Sequence, residues 1–400
     1  MSLIAARLNR IKPSPSSMAG QRARELRAAG RDIVGLTSGE PDFDTPPNVC
    51  EAVVRAMAAS KTKYTDVGGT PELKAAVSAK FKRDNGLDYG TSEIIVGTGG
   101  KQVIFNAFMC TLEAGDDVIV PAPYWVSYPD IALLADGKPV IVACRAKDGF
   151  KLRPEDLERA ITPRTRWLVL NAPNNPSGAT YTREELRGLA DVLLRHPQVW
   201  VMSDDMYEHI LYDGREFATI AQVEPALKER TLTINGVSKA YAMTGWRIGY
   251  GGAPAVLIKA MTKLQSQSTS NPSSISQAAA QEALNGPQDF IAERTRIFQE
   301  RRNKVVAELN RIPGVTCHLP EGAFYVYPSC AGLIGRKTPD GQVIRTDNEF
   351  VLYLLEAQNL ALLQGEAYGV SPFFRISYAT SMERLEEGLR RLRLACEALT

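Results

Sequence analysis

The chain has 400 residues, of which 44% are hydrophobic, and it carries 47 Lys and Arg against 45 Asp and Glu. This length and apolar content suffice for a large buried core and, at roughly 150 residues per domain, for two or three domains. The formal net charge of +2 gives no general reason to expect nucleic acid or acidic membranes as partners. No apolar run approaches the ~18 residues that a membrane span needs.

Cysteine and histidine usage argues against several kinds of site. The six cysteines are scattered without close pairs, and the chain has three histidines. This pattern favours neither a disulfide framework nor a metal centre, so we expect a cytoplasmic protein without a bound metal. The amino terminus is basic, but Pro13 and Pro15 interrupt any amphipathic helix there, which argues against an organelle transit peptide.

In chain order, seven apolar, β-branched runs are separated by helical patterns. The runs are Ile94 to Val96, Asp117 to Val120, Val140 to Ala143, Trp167 to Leu170, Val199 to Met202, Thr231 to Ile234 and Arg247 to Tyr250. Their continuous apolarity predicts strands that are buried on both faces. Helical patterns run from Thr70-Pro71 to Asp84, from Gly100 to Glu113, and from a capping box at Thr182 to Leu194. This alternation predicts an α/β fold with a mostly parallel seven-stranded sheet between helices.

The pattern changes after about Gln288. A long charged helical stretch is followed by the strand-like runs Ala323 to Tyr327 and Phe374 to Tyr378, and a last helix begins near Thr380-Ser381. These features predict a second, smaller α+β domain. We therefore expect a large α/β domain over residues 48–290, and an amino-terminal arm together with a small domain over residues 1–47 and 291–400.

The segment from Ser238 to Tyr250 sets a lysine just after an apolar strand and an arginine soon after it. Because Asn235-Gly236 ends the strand, Lys239 leaves the edge of a sheet and not a solvated helix. A desolvated ammonium near another cation loses its proton easily, and the free amine forms a Schiff base with an aldehyde. This chemistry points to pyridoxal phosphate, with Arg247 as a planar fork for the phosphate. Alone, the segment is also compatible with a solvated lysine and a structural ion pair.

Two loops after other strands suggest ligand contacts. The run Gly97-Thr98-Gly99-Gly100-Lys101 leads straight into a helix, where backbone N–H groups and the helix dipole would attract an anion. It matches neither the Walker pattern nor the dinucleotide fingerprint. The run Asn171 to Gly178 is rich in proline and asparagine; its Asn175-Pro176 bond is a candidate for the cis form, and Asn175 offers an amide to a ligand. An ordinary tight turn is the alternative for both loops.

The loops after two further strands carry an acid and several aromatic residues. Asp204, if buried beside a pyridine nitrogen, would keep that ring protonated and make it an electron sink. Tyr207 would bond the phenolic oxygen of the same ring, and Tyr124-Trp125 offers a face for stacking. A solvated Asp204 and purely structural aromatic packing are the alternatives. Because ligands gather beyond the carboxyl ends of parallel strands, we expect one site to collect these groups.

Together the segments resemble the fold type I pyridoxal phosphate enzymes and, within them, the class I aspartate aminotransferase family, in the bacterial branch that acts on aspartate and sometimes prephenate. The resemblance extends over nearly the whole chain. Its motifs are, in order, Ile11-Lys12-Pro13-Ser14, Ser38-Gly39-Glu40-Pro41-Asp42-Phe43, Lys63-Tyr64-Thr65, Pro123-Tyr124-Trp125-Val126-Ser127-Tyr128, Asn174-Asn175-Pro176-Ser177-Gly178, Ser238-Lys239 and Phe374-Arg375-Ile376-Ser377-Tyr378-Ala379.

The resemblance implies a role for each matched position. The implied catalytic residues are Lys239, which binds the cofactor and moves the proton, Asp204, which pairs with the ring nitrogen, and Tyr207, which bonds the ring oxygen. The implied cofactor-binding residues are Gly100, Lys101, Trp125, Asn175, Asp204, Tyr207, Ser238, Lys239 and Arg247, with Tyr64 of the partner subunit. The implied substrate-binding residues are Gly39, Trp125, Asn175, Arg375, Lys101 and Lys12.

The resemblance also implies a ping-pong aminotransferase that works as a homodimer with shared active sites. The favoured amino donor is aspartate and the favoured acceptor is 2-oxoglutarate, with prephenate as a further acceptor. Lys101 and Lys12 are implied to meet the distal carboxylate of such substrates, while capping of its helix or pairing with the phosphate is the alternative for Lys101. The remaining alternatives are another pyridoxal phosphate reaction, such as β-elimination or decarboxylation, and a non-catalytic binding protein of the same fold.

Overall fold

The computed structural model describes residues 3–13 and 15–400, with the backbone alone for residues 15–17; Ser14 of the Lys12-Pro13-Ser14 motif lies outside the described residues. The helices of this part are α1 (Pro15–Ala28), α2 (Pro47–Ala58), α3 (Pro71–Asn85), α4 (Gly100–Thr111), α5 (Ser127–Leu134), α6 (Pro154–Ala160), α7 (Arg183–Arg195), α8 (Ile220–Val223), α9 (Ala255–Ser266), α10 (Ser274–Asn285), α11 (Asp289–Leu309), α12 (Asp347–Gln358) and α13 (Met382–Glu397). The strands are β1 (Val34–Gly35), β2 (Ile94–Gly97), β3 (Asp117–Ala122), β4 (Lys138–Ala143), β5 (Thr165–Asn171), β6 (Trp200–Asp204), β7 (Thr231–Gly236), β8 (Gly249–Gly252), β9 (Tyr325–Val326), β10 (Leu360–Ala361), β11 (Leu363–Gln364) and β12 (Phe374–Ser377).

The main sheet has seven strands in the order β2-β8-β7-β6-β5-β3-β4. Only β8 runs antiparallel to its neighbours, β2 and β7, and all the other neighbouring strands are parallel. Successive side chains of a strand enter different cores: Val118 and Val120 pack with α4, α5 and α9, whereas Ile119 packs with α7. The sheet therefore lies between helices, which confirms the predicted α/β fold with a mostly parallel seven-stranded sheet.

Capping residues near in sequence determine where α3 and α7 begin. Helix α3 begins with Pro71, and the Thr70 hydroxyl accepts a hydrogen bond from the backbone N–H of Leu73 at 3.2 Å. At the start of α7, Thr182 and Glu185 form the predicted reciprocal capping box. These side chains satisfy N–H groups that have no acceptor within the helix.

Two strand predictions in the main sheet need correction. Strand β4 is not buried on both faces; Ile141, for example, is 42% exposed, because β4 lies at the edge of the sheet and pairs with β3 alone. The run predicted from Arg247 to Tyr250 becomes a strand only at Gly249, because Arg247 has a φ of +56°, which is not an extended conformation. The order of the strands and the path of a turn depend on contacts between distant segments of the chain, which a short stretch of sequence does not record.

A separate hydrophobic core lies in the smaller α+β part. It is built by α11, α12 and α13 with the antiparallel sheet β11-β12-β9, and the parallel pair β1–β10 brings the amino-terminal segment to it. The predicted strand Ala323 to Tyr327 is reduced to Tyr325–Val326, since Ala323 has a φ of +57°. Helix α13 begins as predicted, with Ser381 as its N-cap. None of the helices that the structure describes has both the length and the apolarity that crossing a bilayer requires.

Candidate active site

A cavity of about 380 Å³ opens where the carboxyl ends of β2, β5, β6 and β7 meet the smaller α+β part. Most of the predicted site residues line it. They are Gly39, Gly100, Lys101, Trp125, Asn175, Asp204, Tyr207, Ser238, Lys239, Arg247 and Arg375. Parallel strands end at one edge of their sheet, so residues far apart in the sequence converge there.

Lys239 follows β7 and points its amine into this cavity. The Nζ atom donates a hydrogen bond to the carbonyl oxygen of Gly39 at 2.5 Å and lies 5.6 Å from the centre of the Tyr207 ring. Burial, followed by the positive charges of Arg375 and Arg247, lowers the pKa of Lys239 to about 8. At neutral pH the amine is therefore much more often uncharged, and nucleophilic, than an ordinary lysine.

Asp204 ends β6, lines the same cavity and is 6% exposed. Its Oδ2 atom accepts a hydrogen bond from the Tyr128 hydroxyl at 2.5 Å. Burial raises the pKa of Asp204, although the Tyr128 and Met206 donors and the Lys239 charge act in the opposite direction. The carboxylate thus loses more hydration than these groups replace, so a cationic ligand atom beside it would be stabilised.

An anion site is formed where β2 leads into α4. Gly99 stands at the N-cap with a φ of +86°, and a Cβ atom there would collide with the guanidinium of Arg247. The backbone N–H groups of Gly100 and Lys101 are the first of α4, so they have no acceptor within the helix. With Arg247 and the buried Ser238 on the same cavity, these groups suit a phosphate.

Arg375 of β12 contributes a buried guanidinium that is 2% exposed. It donates from Nη1 to the Asn175 Oδ1 atom at 2.9 Å and from Nη2 to the Thr37 carbonyl oxygen at 2.6 Å. Its Nε atom is buried without a hydrogen-bond partner, and in the described part of the chain no carboxylate forms an ion pair with it. Buried charges are normally paired, so this guanidinium has the properties of a binding group for a carboxylate ligand.

Trp125 and Lys101 form a third wall of the cavity. The Trp125 ring lies edge-on to Tyr128, with ring centres 5.3 Å apart, and the Lys101 Nζ atom lies 4.8 Å from the centre of the Trp125 ring. Burial, followed by the charge of Arg247, lowers the pKa of Lys101. The Tyr207 hydroxyl shares a hydrogen bond of 2.9 Å with the Tyr325 hydroxyl beside this wall.

Two predicted site residues lie apart from the cavity in this chain. Tyr64 is 92% exposed and is not among the residues that line the cavity. Lys12 lines a different groove, between α1 and α12, together with Met18, Leu352 and Gln364. For Tyr64 this position agrees with the expectation that it serves a neighbouring subunit.

Tyr128 and Tyr325, which hydrogen-bond to Asp204 and Tyr207, had no predicted role. Tyr128 is the second residue of α5, and its place in the Pro123 to Tyr128 motif that follows β3 was the available signal. The buried ion pair between Lys80 and Glu208 was also missed. Asn85 completes it, donating to the Glu208 Oε2 atom at 2.6 Å, and so this group anchors the turn that follows Asp204.

These observations together define the class of protein. The cavity holds a lysine with a lowered pKa, a buried carboxylate that lacks a full counter-charge, and a site that suits a phosphate. This combination fits pyridoxal phosphate. Lys239 would bind its aldehyde, Asp204 its ring nitrogen, and the amino end of α4 its phosphate. The fold and the site are those of a fold type I enzyme that depends on pyridoxal phosphate.

Comparisons with known proteins agree with this class. The family model "Aminotransferase class I and II" matches residues 31–392. The chain is 57% identical over 400 residues to the aspartate/prephenate aminotransferase of Cereibacter sphaeroides, covering 100% of both chains. It is 57% identical over 396 residues to an aspartate aminotransferase of Rhizobium meliloti, covering 99% of this chain and 97% of the relative.

Solved structures extend the agreement to three dimensions. The crystal structure of the aspartate aminotransferase from Rhizobium meliloti has a TM-score of 0.97 at 56% identity, with 100% of both chains covered. The aspartate aminotransferase from Thermus thermophilus with maleate has a TM-score of 0.92 at 42% identity, covering 99% of this chain and 100% of that one. The chain belongs to the class I and II aminotransferase family.

The low pKa of Lys239 leads to a prediction for pH dependence. We expect the rate at which the cofactor-free protein captures pyridoxal phosphate to rise with pH and to level off above a midpoint of about 8, because only the uncharged amine attacks an aldehyde. Stopped-flow absorbance over a range of pH measures this rate. Arg375→Gln should move the midpoint upward, since the Arg375 charge favours the uncharged amine. A midpoint at the ordinary lysine value of 10.5 would contradict the prediction.

Proposed function

We propose that this chain is an aminotransferase that moves the amino group of aspartate to a 2-oxo acid, with 2-oxoglutarate favoured and prephenate as a further acceptor. The observation that carries the proposal is the buried guanidinium of Arg375, which lacks a carboxylate partner in the described chain and opens on the same cavity as Lys239. Such a pair can hold an amino acid by its α-carboxylate while an amine acts at the α-carbon.

Different residues of the cavity would bind different parts of the cofactor. When bound, pyridoxal phosphate supplies a ring that withdraws electrons and stabilises negative charge at the substrate's α-carbon. Asp204 would keep its ring nitrogen protonated, and Trp125 would stack on the ring. The phosphate would be held by Gly100, Lys101, Ser238 and Arg247 and by Tyr64 of the partner subunit.

Asn175 and Tyr207 would hold the ring oxygen. The Oδ1 atom of Asn175 already accepts a hydrogen bond from Arg375, so the Nδ2 group remains as a donor toward the cavity. The Tyr207 hydroxyl, fixed by its 2.9 Å contact with Tyr325, is the second donor. Asn175 thereby connects the carboxylate-binding arginine with the cofactor-binding loop.

Lys239 is the proposed proton carrier. Its amine lies just after β7, on the same cavity as the Arg375 guanidinium that would hold the substrate's α-carboxylate. With a pKa of about 8 this amine is partly uncharged at neutral pH, so its Nζ atom can take up the α-proton of the substrate. The carbonyl oxygen of Gly39, which accepts its hydrogen bond, would orient the amine for this transfer.

Substrate preference is proposed from charge. Lys101 adds a cation to the cavity on the Trp125 side, where it is available for a second carboxylate. The relatives named above are aspartate aminotransferases, and one of the solved structures holds maleate, a dicarboxylate. These facts support a dicarboxylic substrate. Lys12 would reach it only from the separate groove beside α1.

The proposal is tested with a panel of amino donors and 2-oxo acids. Aspartate and 2-oxoglutarate should give oxaloacetate and glutamate in equal amounts, without release of ammonia, because each amino group that aspartate loses is gained by 2-oxoglutarate. Ammonia as the main product would indicate an elimination reaction, and a preparation that binds pyridoxal phosphate but transfers no amino group would indicate a binding protein.

Lys101→Ala should lower kcat/KM for aspartate by about 10- to 100-fold more than for alanine, because a charge-assisted hydrogen bond to the distal carboxylate is lost. Steady-state kinetics with both donors at saturating cofactor measure the difference. Lys147→Ala, at an exposed lysine away from the cavity, is the control and should change neither value. An equal loss with both donors would assign Lys101 to the phosphate instead.

We further propose that residues 48–290 form the cofactor-binding domain and that residues 1–47 and 291–400 form the amino-terminal arm and small domain. The separate hydrophobic cores on either side of the cavity support this division. A homodimer is supported by the exposure of Tyr64 together with Val54 and Met57 of α2, which are 61% and 50% exposed. The unpaired state of the six cysteines supports a cytoplasmic location.

A further inference from the structure

The segment that carries Tyr64 exposes this side chain, while hydrogen bonds to buried residues hold the rest of the segment in place. Residues 62–70, here called the Tyr64 segment, connect α2 to α3 without helix or strand. No described residue accepts or donates a hydrogen bond at the Tyr64 hydroxyl, and the side chain is 92% exposed. In contrast, Gly68 accepts a hydrogen bond from the backbone N–H of Val96 at 2.9 Å, on the strand that leads to the phosphate site.

Gln277 of α10 binds the Tyr64 segment through its buried side chain. This glutamine is 1% exposed, and its Oε1 atom accepts from the backbone N–H of Thr70 at 2.8 Å. Its Nε2 group donates to the Thr65 hydroxyl at 3.0 Å and to the carbonyl oxygen of Pro272 at 2.9 Å. Thr65 directly follows Tyr64, so one buried amide binds both the end of the segment and the neighbour of the tyrosine.

Gln265 of α9 is a second buried glutamine that binds the same segment. It is fully buried, and its Nε2 group donates to the carbonyl oxygens of Val67 at 2.7 Å and Val96 at 3.0 Å. Gly69 has a φ of +106°, and a Cβ atom there would lie 2.5 Å from Val96. The backbone path of the segment is thus determined by contacts that a side chain at Gly69 would break.

The buried amides of Gln277 and Gln265 carry a free-energy cost that hydrogen bonds to the Tyr64 segment offset. Burying a glutamine amide is unfavourable unless each polar atom finds a partner, and here the partners belong mainly to one exposed connection. Holding that connection rigid removes conformational freedom before any ligand arrives, and this raises the affinity of whatever the exposed side chain contacts.

We propose that Gln277, supported by Gln265, is a positioning residue that holds Tyr64 where it reaches the cofactor phosphate of the partner subunit. This inference rests on the proposed homodimer with shared active sites. It has a consequence that a purely structural role would not have: loss of Gln277 damages the site of the neighbouring subunit and not the site of its own chain. Gln265 also contacts Val96 beside its own phosphate site, so Gln277 provides the cleaner test.

The test uses hybrid dimers of the full chain. One chain carries Lys239→Ala, so a single site, made of Lys239 from one chain and Tyr64 from the other, can bind the cofactor through lysine. Q277M is placed either on the Lys239→Ala chain, which supplies Tyr64, or on the chain that supplies Lys239. Titration with pyridoxal phosphate, followed by the absorbance of the lysine-bound cofactor, gives the dissociation constant.

We expect Q277M to raise the dissociation constant about fivefold to tenfold when it lies on the chain that supplies Tyr64, because the anchoring hydrogen bonds are lost, and to leave it unchanged in the other placement. T65V removes the bond from Gln277 next to Tyr64, together with the local bond of 3.2 Å from the Thr65 hydroxyl to the Asp66 carbonyl oxygen. It should have the same placement dependence with about a threefold effect. T65V carries the test if Q277M does not fold. Q288M is the matched control, since Gln288 also bonds Tyr241 and two carbonyl oxygens but lies away from the segment.

The outcomes separate this inference from the proposed dimer. Y64F in the same two placements reports on the shared site itself. If Y64F weakens binding only from the chain opposite Lys239 while Q277M and T65V act equally from both chains, or from neither, the positioning role is wrong and the shared site stands. If Y64F has no placement dependence, the shared site fails, and the positioning role fails with it.

Discussion

Lys239→Ala should lower the rate of amino-group transfer from aspartate by at least about 10⁴, because the substitution removes both the covalent attachment of the cofactor and the proposed proton carrier. The amine that is lost lies just after β7 with a pKa of about 8, and among the described residues that line the cavity Lys101 is the other lysine. Lys101, the other lysine on the cavity, lies over the Trp125 ring and not beside Gly39.

Two measurements check this expectation. The half-reaction with aspartate is followed by the absorbance of the cofactor, and borohydride reduction followed by peptide mapping locates the modified lysine. The label should appear on Lys239 in the wild-type chain and be absent from the variant. Lys82→Ala, at an exposed lysine of α3, is the control and should retain full activity. Rapid transfer by Lys239→Ala, or a label on another lysine, would disprove the assignment.

Asp204→Asn should reduce kcat by about 10²- to 10³-fold, because a neutral amide no longer stabilises a positive charge on the ring nitrogen as the reaction proceeds. The variant should also keep or exceed the thermal stability of the cofactor-free wild type at neutral pH. Burial raises the pKa of Asp204, so the folded state holds a proton more tightly than the unfolded state, and ionisation at higher pH costs folding free energy. The amide removes that cost.

Tyr128→Phe is the matched variant for Asp204. It deletes the 2.5 Å hydrogen bond to the carboxylate but keeps its charge. We expect a smaller loss of kcat than for Asp204→Asn and a shift of the acidic limb of the pH profile to higher pH, because a donor that lowers the pKa of Asp204 is gone. Steady-state rates across pH and thermal melts of the cofactor-free proteins measure both effects. A large loss of stability in Asp204→Asn would mean that the carboxylate is structural.

The two predictions describe one property of the cavity. Lys101, Lys239, Arg247 and Arg375 bring positive charge to it, and Asp204 is the buried acid opposite them. Burial lowers the pKa of Lys239 and raises the pKa of Asp204, so the uncharged form of each group is favoured. A cofactor with a phosphate and a basic ring nitrogen, together with a substrate carboxylate, would supply the missing partners.

Several parts of this protein were determined by local sequence alone. The apolar runs predicted all seven strands of the main sheet, and the polar residues just after them predicted Lys239, Asp204 and Asn175 as members of one site. The reason is physical: strands that are buried between two layers of helices must be continuously apolar, and the ends of parallel strands share one edge. The capping box at Thr182 and the Ser381 cap are likewise local, since the interacting groups lie within one helical turn.

Tertiary structure alone decided the rest. The exposure of β4 follows from its place at the edge of the sheet, and the Arg375–Asn175 hydrogen bond joins residues 200 positions apart. The donor that Tyr128 provides to Asp204 and the carbonyl oxygen that Gly39 provides to Lys239 are contacts of the same long-range kind. Sequence patterns record which residue types follow each strand, whereas burial and pKa depend on the distances between segments, and those distances exist only once the chain has folded.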